Sequence, residues 1–223
     1  MAKDFVLNYL QAVAEPLPEL KQSFDAELGL LKEHCSVRSS VLDVGCRAAI
    51  PALHLAPHVK ELVGVDKSPK MIEQALERCG HLQNARFVID DPLNLSFTSK
   101  TFDVSFCTYN VIGTHKKSER QRLVNEMTRV TRPFGKVINI SWKQDKKTTD
   151  FLKKYYPSIG IKIFEIDESK SITSKGTFDR LAKKEMAAYY KTAGLEQVEF
   201  VDVGPVWHAA IGIKPKGQFD DWV

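Results

Sequence analysis

The chain has 223 residues, of which 43% are apolar, 27% charged and 9% aromatic. That length and apolar share suit one domain with a sizeable core and exclude a disordered polymer. Thirty-two basic against 28 acidic residues leave a net charge of +4, too small for a nucleic-acid footprint by itself.

The lysine pairs at 116–117, 146–147, 153–154 and 183–184 have acids interspersed around them, the pattern of a solvated surface. No run of about 18 apolar residues exists, so no membrane-spanning helix is expected. The opening MAKDFVLNYLQAVAEP has an acid at Asp4 and no small-residue cleavage site, so no secretory signal is expected and the location expected is cytoplasmic. Cys35, Cys46, Cys79 and Cys107 lie far apart without a C-x-x-C pair, supporting neither a metal site nor a disulfide framework. Cys46 and Cys107 read as reduced, buried thiols.

In chain order, Leu17, Leu20, Phe24, Leu28 and Leu31 recur at helical spacing and predict an amphipathic helix over 17–34, within an N-terminal helical cap of about 1–35. Residues 40–44 form a short apolar strand closing on Gly45. Pro51 suits a helix start, giving a short helix to about 58. Residues 61–65 are a second buried strand ending at Asp66, and Ser68 caps a helix over 69–79 with proline at its first position. Strands follow at 86–89 and 102–107. A helix over about 118–131 is broken by Pro133 and Gly135. A fifth strand covers 136–141. Phe178, Leu181, Ala182, Glu185, Met186, Tyr189 and Ala193 line a helix face closed by Gly194. Strands at 197–203 and 208–213 finish the pattern.

Strands alternating with helices predict an α/β fold with a doubly wound, largely parallel sheet. Residues 204–207 are too short a link for a parallel crossover, so the last two strands pair antiparallel. Residues 143–178 are longer than a normal connection. They read either as a lid facing the substrate or as an extra stabilising element.

In open α/β sheets ligands bind outside the carboxyl ends of the strands. Here those ends carry Asp43-Val44-Gly45-Cys46, Asp66, Asp90-Asp91 and Thr108-Tyr109-Asn110. Acids after three successive strands suit a ligand rich in hydroxyls and amines, and an acid after the second strand suits a ribose diol. The first turn reads GCRAAIPAL, with a single glycine. A nicotinamide dinucleotide would need G-x-G-x-x-G there, and no P-loop is present either.

The segments VLDVGC (41–46), ELVGVDKSPKMIEQA (61–75), RFVIDDPLNLSF (86–97), FDVSFCTYNVI (102–112) and RVTRPFGKVINI (129–140) stand in the order and spacing of a known family. The chain resembles class I S-adenosylmethionine-dependent methyltransferases, closely over 40–142 and loosely over 178–215. The resemblance implies a Rossmann-like seven-stranded sheet with an antiparallel last strand. It implies that Asp43 orients the methionine part of the cofactor, that Gly45 lets the backbone pass close to it, and that Asp66 takes the ribose diol, with Lys67 beside it. Asp91 would receive the adenine amino group. Thr108 and Tyr109 would flank the sulfonium, where aromatic faces favour a cation. No metal is implied.

The chain departs from the family's G-x-G-x-G turn at Arg47 and Ala49, where glycine tolerates positive φ and presents no side chain. Arg47 either swings outward, pairs with the cofactor carboxylate, or fills the methionine pocket. Pro92 lacks the N–H commonly offered to the adenine ring. Phe134 replaces a glycine further from the ligand. For proton removal, His115 follows the fourth strand and His208 opens the last one; Tyr109 is the third candidate for the catalytic centre. The reaction implied is methyl transfer from S-adenosylmethionine to a small-molecule O, N or C nucleophile, leaving S-adenosylhomocysteine. The alternatives are a methyltransferase-like protein that binds or stabilises a partner without methylating, and an RNA or protein methyltransferase. TYNV after strand four lacks the prolines of the base-methylating branch, so nucleic acid is not the expected partner. A monomer or homodimer is expected.

Overall fold

In a computed structural model, the described residues are 5–216. Helices α1 (Phe5–Ala14) and α2 (Pro18–His34) precede β1 (Ser40–Val44), α3 (Ile50–Leu55) with a 3₁₀ turn at Ala56–His58, β2 (Glu61–Asp66), α4 (Pro69–Cys79), β3 (Ala85–Ile89) and β4 (Phe102–Cys107). Then come α5 (Val111–Thr114), α6 (Lys117–Val130), β5 (Thr131–Trp142), α7 (Lys146–Ser158), β6 (Ile163–Ile166), β7 (Lys170–Thr173), β8 (Gly176–Asp179), α8 (Lys183–Thr192), β9 (Glu196–Val203) and β10 (Trp207–Ile213).

The seven-stranded sheet runs β3-β2-β1-β4-β5-β10-β9. The pairs β2–β3, β1–β2, β1–β4 and β4–β5 are parallel, and β10 lies antiparallel to both β5 and β9. This is the Rossmann-like, doubly wound sheet with a reversed last strand. Its central strands are continuous apolar runs because helices cover both faces. On one face α2, α3, α4 and α7 pack against Val41, Phe106, Ile138, Ile140 and Trp207. On the other, α6 and α8 pack against Leu42, Val44, Cys107 and Val137. Side chains alternate across a strand, so Asp43 shares Val41's face, toward α2. Ser68 Oγ caps α4 by accepting from Met71 N at 3.4 Å.

The structure corrects two boundaries and fills one gap. The helix expected from Phe178 starts only at Lys183. Phe178 pairs with Ser171 in β8, and Arg180 N donates to Ser169 O at 2.7 Å, so these backbone donors serve a ladder. Residues 143–178 hold α7 and a three-stranded antiparallel sheet, β6-β7-β8. The fifth strand begins at Thr131 because the Pro133–Gly135 turn is accommodated as an irregularity between the Phe102↔Thr131 and Val104↔Lys136 pairs.

Phe134 sits in that irregularity with φ +63 and a 69% exposed ring. Left-handed backbone costs a residue with a Cβ roughly 1–2 kcal/mol. Phe134→Gly is therefore expected to raise the free energy of urea unfolding by about 1 kcal/mol, with the slope unchanged; an equal or lower midpoint contradicts this.

Candidate active site

The turn after β1 holds positive φ at Gly45 (+75), Arg47 (+51) and Ala49 (+56). The backbone thus keeps the alternating conformation of a three-glycine turn although two positions carry side chains. Strain of about 1–3 kcal/mol per such residue persists only where the surroundings over-determine it. Gly45 N and Cys46 N donate to Val65 O, and Ala49 N to Cys46 O. Gly45 also has a requirement within the fold: a Cβ there would stand 2.7 Å from a Val111 methyl.

Arg47 turns inward. Its N–H donates to Asp66 Oδ2 at 3.0 Å, and its guanidinium donates to Tyr109 O at 3.0 Å. The guanidinium carbon lies 4.5 Å from the Tyr109 ring centre and 5.9 Å from that of Tyr9 on α1, whose hydroxyl it also hydrogen-bonds. Asp66 is oriented from two sides, because Ser68 N donates to its Oδ1 at 2.9 Å.

Tyr109 and Asn110 follow β4 with φ of +56 and +60. This turn drives the Tyr109 ring into a group formed by Tyr9, Phe24, Trp142, Tyr155 and Trp207, with ring centres 5.3–6.4 Å away. The Tyr109 and Tyr155 hydroxyls hydrogen-bond each other. Asn110 Nδ2 donates to Asp179 O at 3.0 Å, and Arg120 Nε donates to His115 O at 3.1 Å while its guanidinium pairs with Asp179 and Glu185. The added sheet is thereby bound to the turn that carries Tyr109.

These elements enclose a cavity of about 430 Å³, within the ~300–1,000 Å³ of small-molecule sites. Gly45, Arg47, Asp66, Lys67, Pro92, Tyr109 and His115 line it. Tyr155, Tyr156, Ile159, Ile161, Lys175 and Phe178 bring residues 143–178 into its wall. The structure thus brings together seven of the residues singled out above.

Four others lie elsewhere. Asp91 is exposed and outside the lining, and its Oδ1 accepts from Leu93 N at 3.0 Å as a turn cap. Thr108 is buried and outside the lining. Asp43 is buried behind the lining, with neither carboxylate oxygen hydrogen-bonded. His208 is corrected as a catalytic candidate. Alternation along β10 sends it to the face opposite Trp207, where it shares a hydrogen bond with Ser141 Oγ at 3.2 Å. Burial, then Lys183, lowers its pKa to about 4, so it is neutral and remote from the cavity. His115 does line the cavity. Its Nδ1 lies 3.0 Å from Val111 O. A carbonyl only accepts, so Nδ1 carries the hydrogen of this contact and Nε2 is the ring nitrogen left for others.

Sequence reasoning missed Glu27, on the buried face of α2 with an unpaired Oε2. The signal was an acid between Phe24 and Leu31 on the apolar stripe. Burial and then Asp43 push Glu27 well above the usual carboxylate range, with Arg47 opposing. Burial and then Asp66 push Asp43 up to about 8, again against Arg47. The thiols of Cys46, Cys79 and Cys107 are buried and unbridged, and burial raises Cys107 to about 12. Among the described residues, no group of His, Cys, Asp and Glu is placed to hold a metal, and no helix is long and apolar enough to cross a membrane.

Asp43's raised pKa has a sign for stability. The folded chain binds this proton more tightly than the unfolded one, so the ligand-free protein loses stability as pH rises from about 4 toward about 8. Asp43→Asn is expected to remove part of that decline. It should add about 1–3 kcal/mol at pH 8 and little at pH 4, read from denaturation at the two pH values. An equal effect at both contradicts the assignment.

A family model described as "Methyltransferase domain" matches residues 41–135. The chain is 28% identical over 199 residues to demethylmenaquinone methyltransferase of Staphylococcus haemolyticus, covering 83% of this chain and 80% of that one. A crystal structure of an S-adenosylmethionine-dependent methyltransferase from Aquifex aeolicus superposes with a TM-score of 0.66 at 20% identity, covering 91% of this chain and 96% of that one. The [4+2]-cyclase SpnF superposes with a TM-score of 0.67 at 16% identity, covering 86% and 82%. With its sheet order and its turn after β1, the chain has the fold of the S-adenosylmethionine-dependent methyltransferases, and its residues 41–135 match their domain model.

Proposed function

We propose that the chain transfers a methyl group from S-adenosylmethionine to a small-molecule O, N or C nucleophile. The observation that carries this reading is the turn at Gly45–Ala49. It retains left-handed backbone at all three alternate positions beside a cavity of small-molecule size. The residues fit the cofactor: unpaired buried carboxylate oxygens on Asp43 and Glu27 await a cationic donor, and Arg47 offers a guanidinium to a carboxylate.

When bound, the cofactor supplies a methyl group on a sulfonium that leaves as a neutral thioether. Asp66, already held by two backbone N–H groups, keeps acceptor capacity for the ribose diol. Lys67 and Pro92 line the cavity, and Asp91 precedes Pro92 in the chain. The faces of Tyr9 and Tyr109 favour a cation, with Thr108 behind. The wall of Trp142, Tyr155, Tyr156 and Phe178 excludes water from the acceptor. Its apolar, aromatic surface and the similarity to demethylmenaquinone methyltransferase support a ring-bearing acceptor. His115 Nε2 removes the nucleophile's proton.

A second reading has a specific observation behind it: the Arg47 guanidinium already lies against Tyr9 and Tyr109, where it would act as a plug in a protein that binds without methylating. Arg47→Gly separates the two, since a plug predicts tighter binding of S-adenosylhomocysteine and a carboxylate partner predicts weaker.

Calorimetric titration with S-adenosylmethionine and S-adenosylhomocysteine tests the cofactor. One-to-one binding is expected, with about 2.7 kcal/mol of stabilisation at 100 times the dissociation constant. No binding at ~1 mM, a free energy of only about −4 kcal/mol, overturns the reading. Asp66→Ala is expected to weaken binding ~10-fold, about 1.4 kcal/mol, with the fold intact by circular dichroism. Once an acceptor is found, His115→Gln should lower kcat ~10²-fold or more while S-adenosylhomocysteine affinity stays level.

A further inference from the structure

Glu27 lies outside every segment that carries the family resemblance, yet it shares the charge of Arg47 with Asp43. It is 3% exposed and Asp43 1%. Three of their carboxylate oxygens, Glu27 Oε2 and both of Asp43, have no hydrogen-bond partner. Leaving one buried acceptor unpaired costs about 1–3 kcal/mol, more if it is charged. Leucine at position 27 would suit α2, whose buried face also holds Leu20, Leu30 and Leu31.

The charged groups around the pair are few. Asp66 at the end of β2 acts on Asp43, Tyr9 of α1 feels Glu27, and the Cys46 and Cys107 thiols feel Asp43. Arg47 is the one cation among the described residues that acts on both acids. Its guanidinium hydrogen-bonds the Tyr109 carbonyl and the Tyr9 hydroxyl instead. The pair therefore lacks a cationic donor. Three unpaired acceptors match the three N–H groups of a primary ammonium. The guanidinium alongside has five donors and suits a carboxylate.

We propose that Glu27, contributed by the N-terminal helical cap, joins Asp43 in seating the ammonium group of the cofactor's amino-acid end, with Arg47 taking its carboxylate. This rests on the S-adenosylmethionine reading and extends it to a residue outside the nucleotide-binding segments. It also fixes a proton balance. In the empty site burial keeps a proton on the pair. An ammonium favours the ionised carboxylates, so ligand entry releases that proton to solvent.

The test compares S-adenosylhomocysteine with 5′-methylthioadenosine, which keeps the adenosine and thioether but lacks the amino-acid end. Calorimetry on the full chain at neutral pH, in buffers of different ionisation enthalpy, reads both affinity and proton release. The wild type is expected to prefer S-adenosylhomocysteine by more than ~10-fold and to release up to one proton with it, and none with methylthioadenosine. Glu27→Gln should weaken S-adenosylhomocysteine ~10-fold, leave methylthioadenosine unchanged and reduce the proton release. Glu27→Leu, which fills the same space without charge, should melt higher in the absence of ligand and show the same selective loss. A loss shared equally by the two ligands, or no loss at all, overturns the role of Glu27 while leaving cofactor binding intact. Failure of the wild type to bind either ligand overturns both readings together.

Discussion

The Arg47 guanidinium rests on the Tyr109 ring and donates to the Tyr109 carbonyl, while the same residue's N–H is held by Asp66. Through these contacts the turn after β1 is joined to the ends of β2 and β4, and through Tyr9 to α1. A guanidinium cannot be deprotonated in proteins, so this position supplies a permanent positive charge among Glu27, Asp43 and Asp66. Without it, Asp43 would stand between two acids, Glu27 and Asp66, in a poorly solvated interior. The left-handed backbone at 47 is the condition for the arrangement, since that φ aims the N–H at Asp66 and leaves the side chain to cross toward Tyr109.

The far wall depends on a different charge. Arg120 is 3% exposed and joins α6 to Asp179 of β8 and to Glu185 of α8. A buried ion pair carries a desolvation penalty that its attraction only partly offsets, and its better-attested role is to specify one arrangement. Here it specifies where β8 lies. Gly113 completes the fit, because a Cβ there would collide with Asp179 O. The three-stranded sheet is thus docked against the β4 turn by backbone approach, hydrogen bond and charge together.

The central strands were legible because parallel strands covered on both faces read as unbroken apolar runs that end in Gly45, Asp66 or Asp90. The small sheet was not. Strands of four residues have no room to show a period, and Phe178 and Leu181 happened to continue the spacing of α8. Around the cavity, the departures from glycine at 47 and 49 were visible, but the sequence does not say that the backbone would keep glycine's conformation, because that depends on Val65, Asp66 and Tyr109 holding it. His208 was misjudged for a reason within reach: it neighbours Trp207 on one strand, and only one of the two can face the aromatic group. Glu27 was hidden because an acid on an amphipathic helix is ordinarily taken for its solvated side.

The aromatic group also has an optical consequence. Trp142 and Trp207 stand 5.5 and 5.4 Å from the Tyr109 and Trp142 ring centres respectively, and Trp142 lines the cavity itself. The third tryptophan, Trp222, lies outside the described residues. Indole emission shifts with the polarity of its surroundings, so a molecule that displaces water beside Trp142 changes the colour of the protein's own fluorescence. The cavity wall is its own dye.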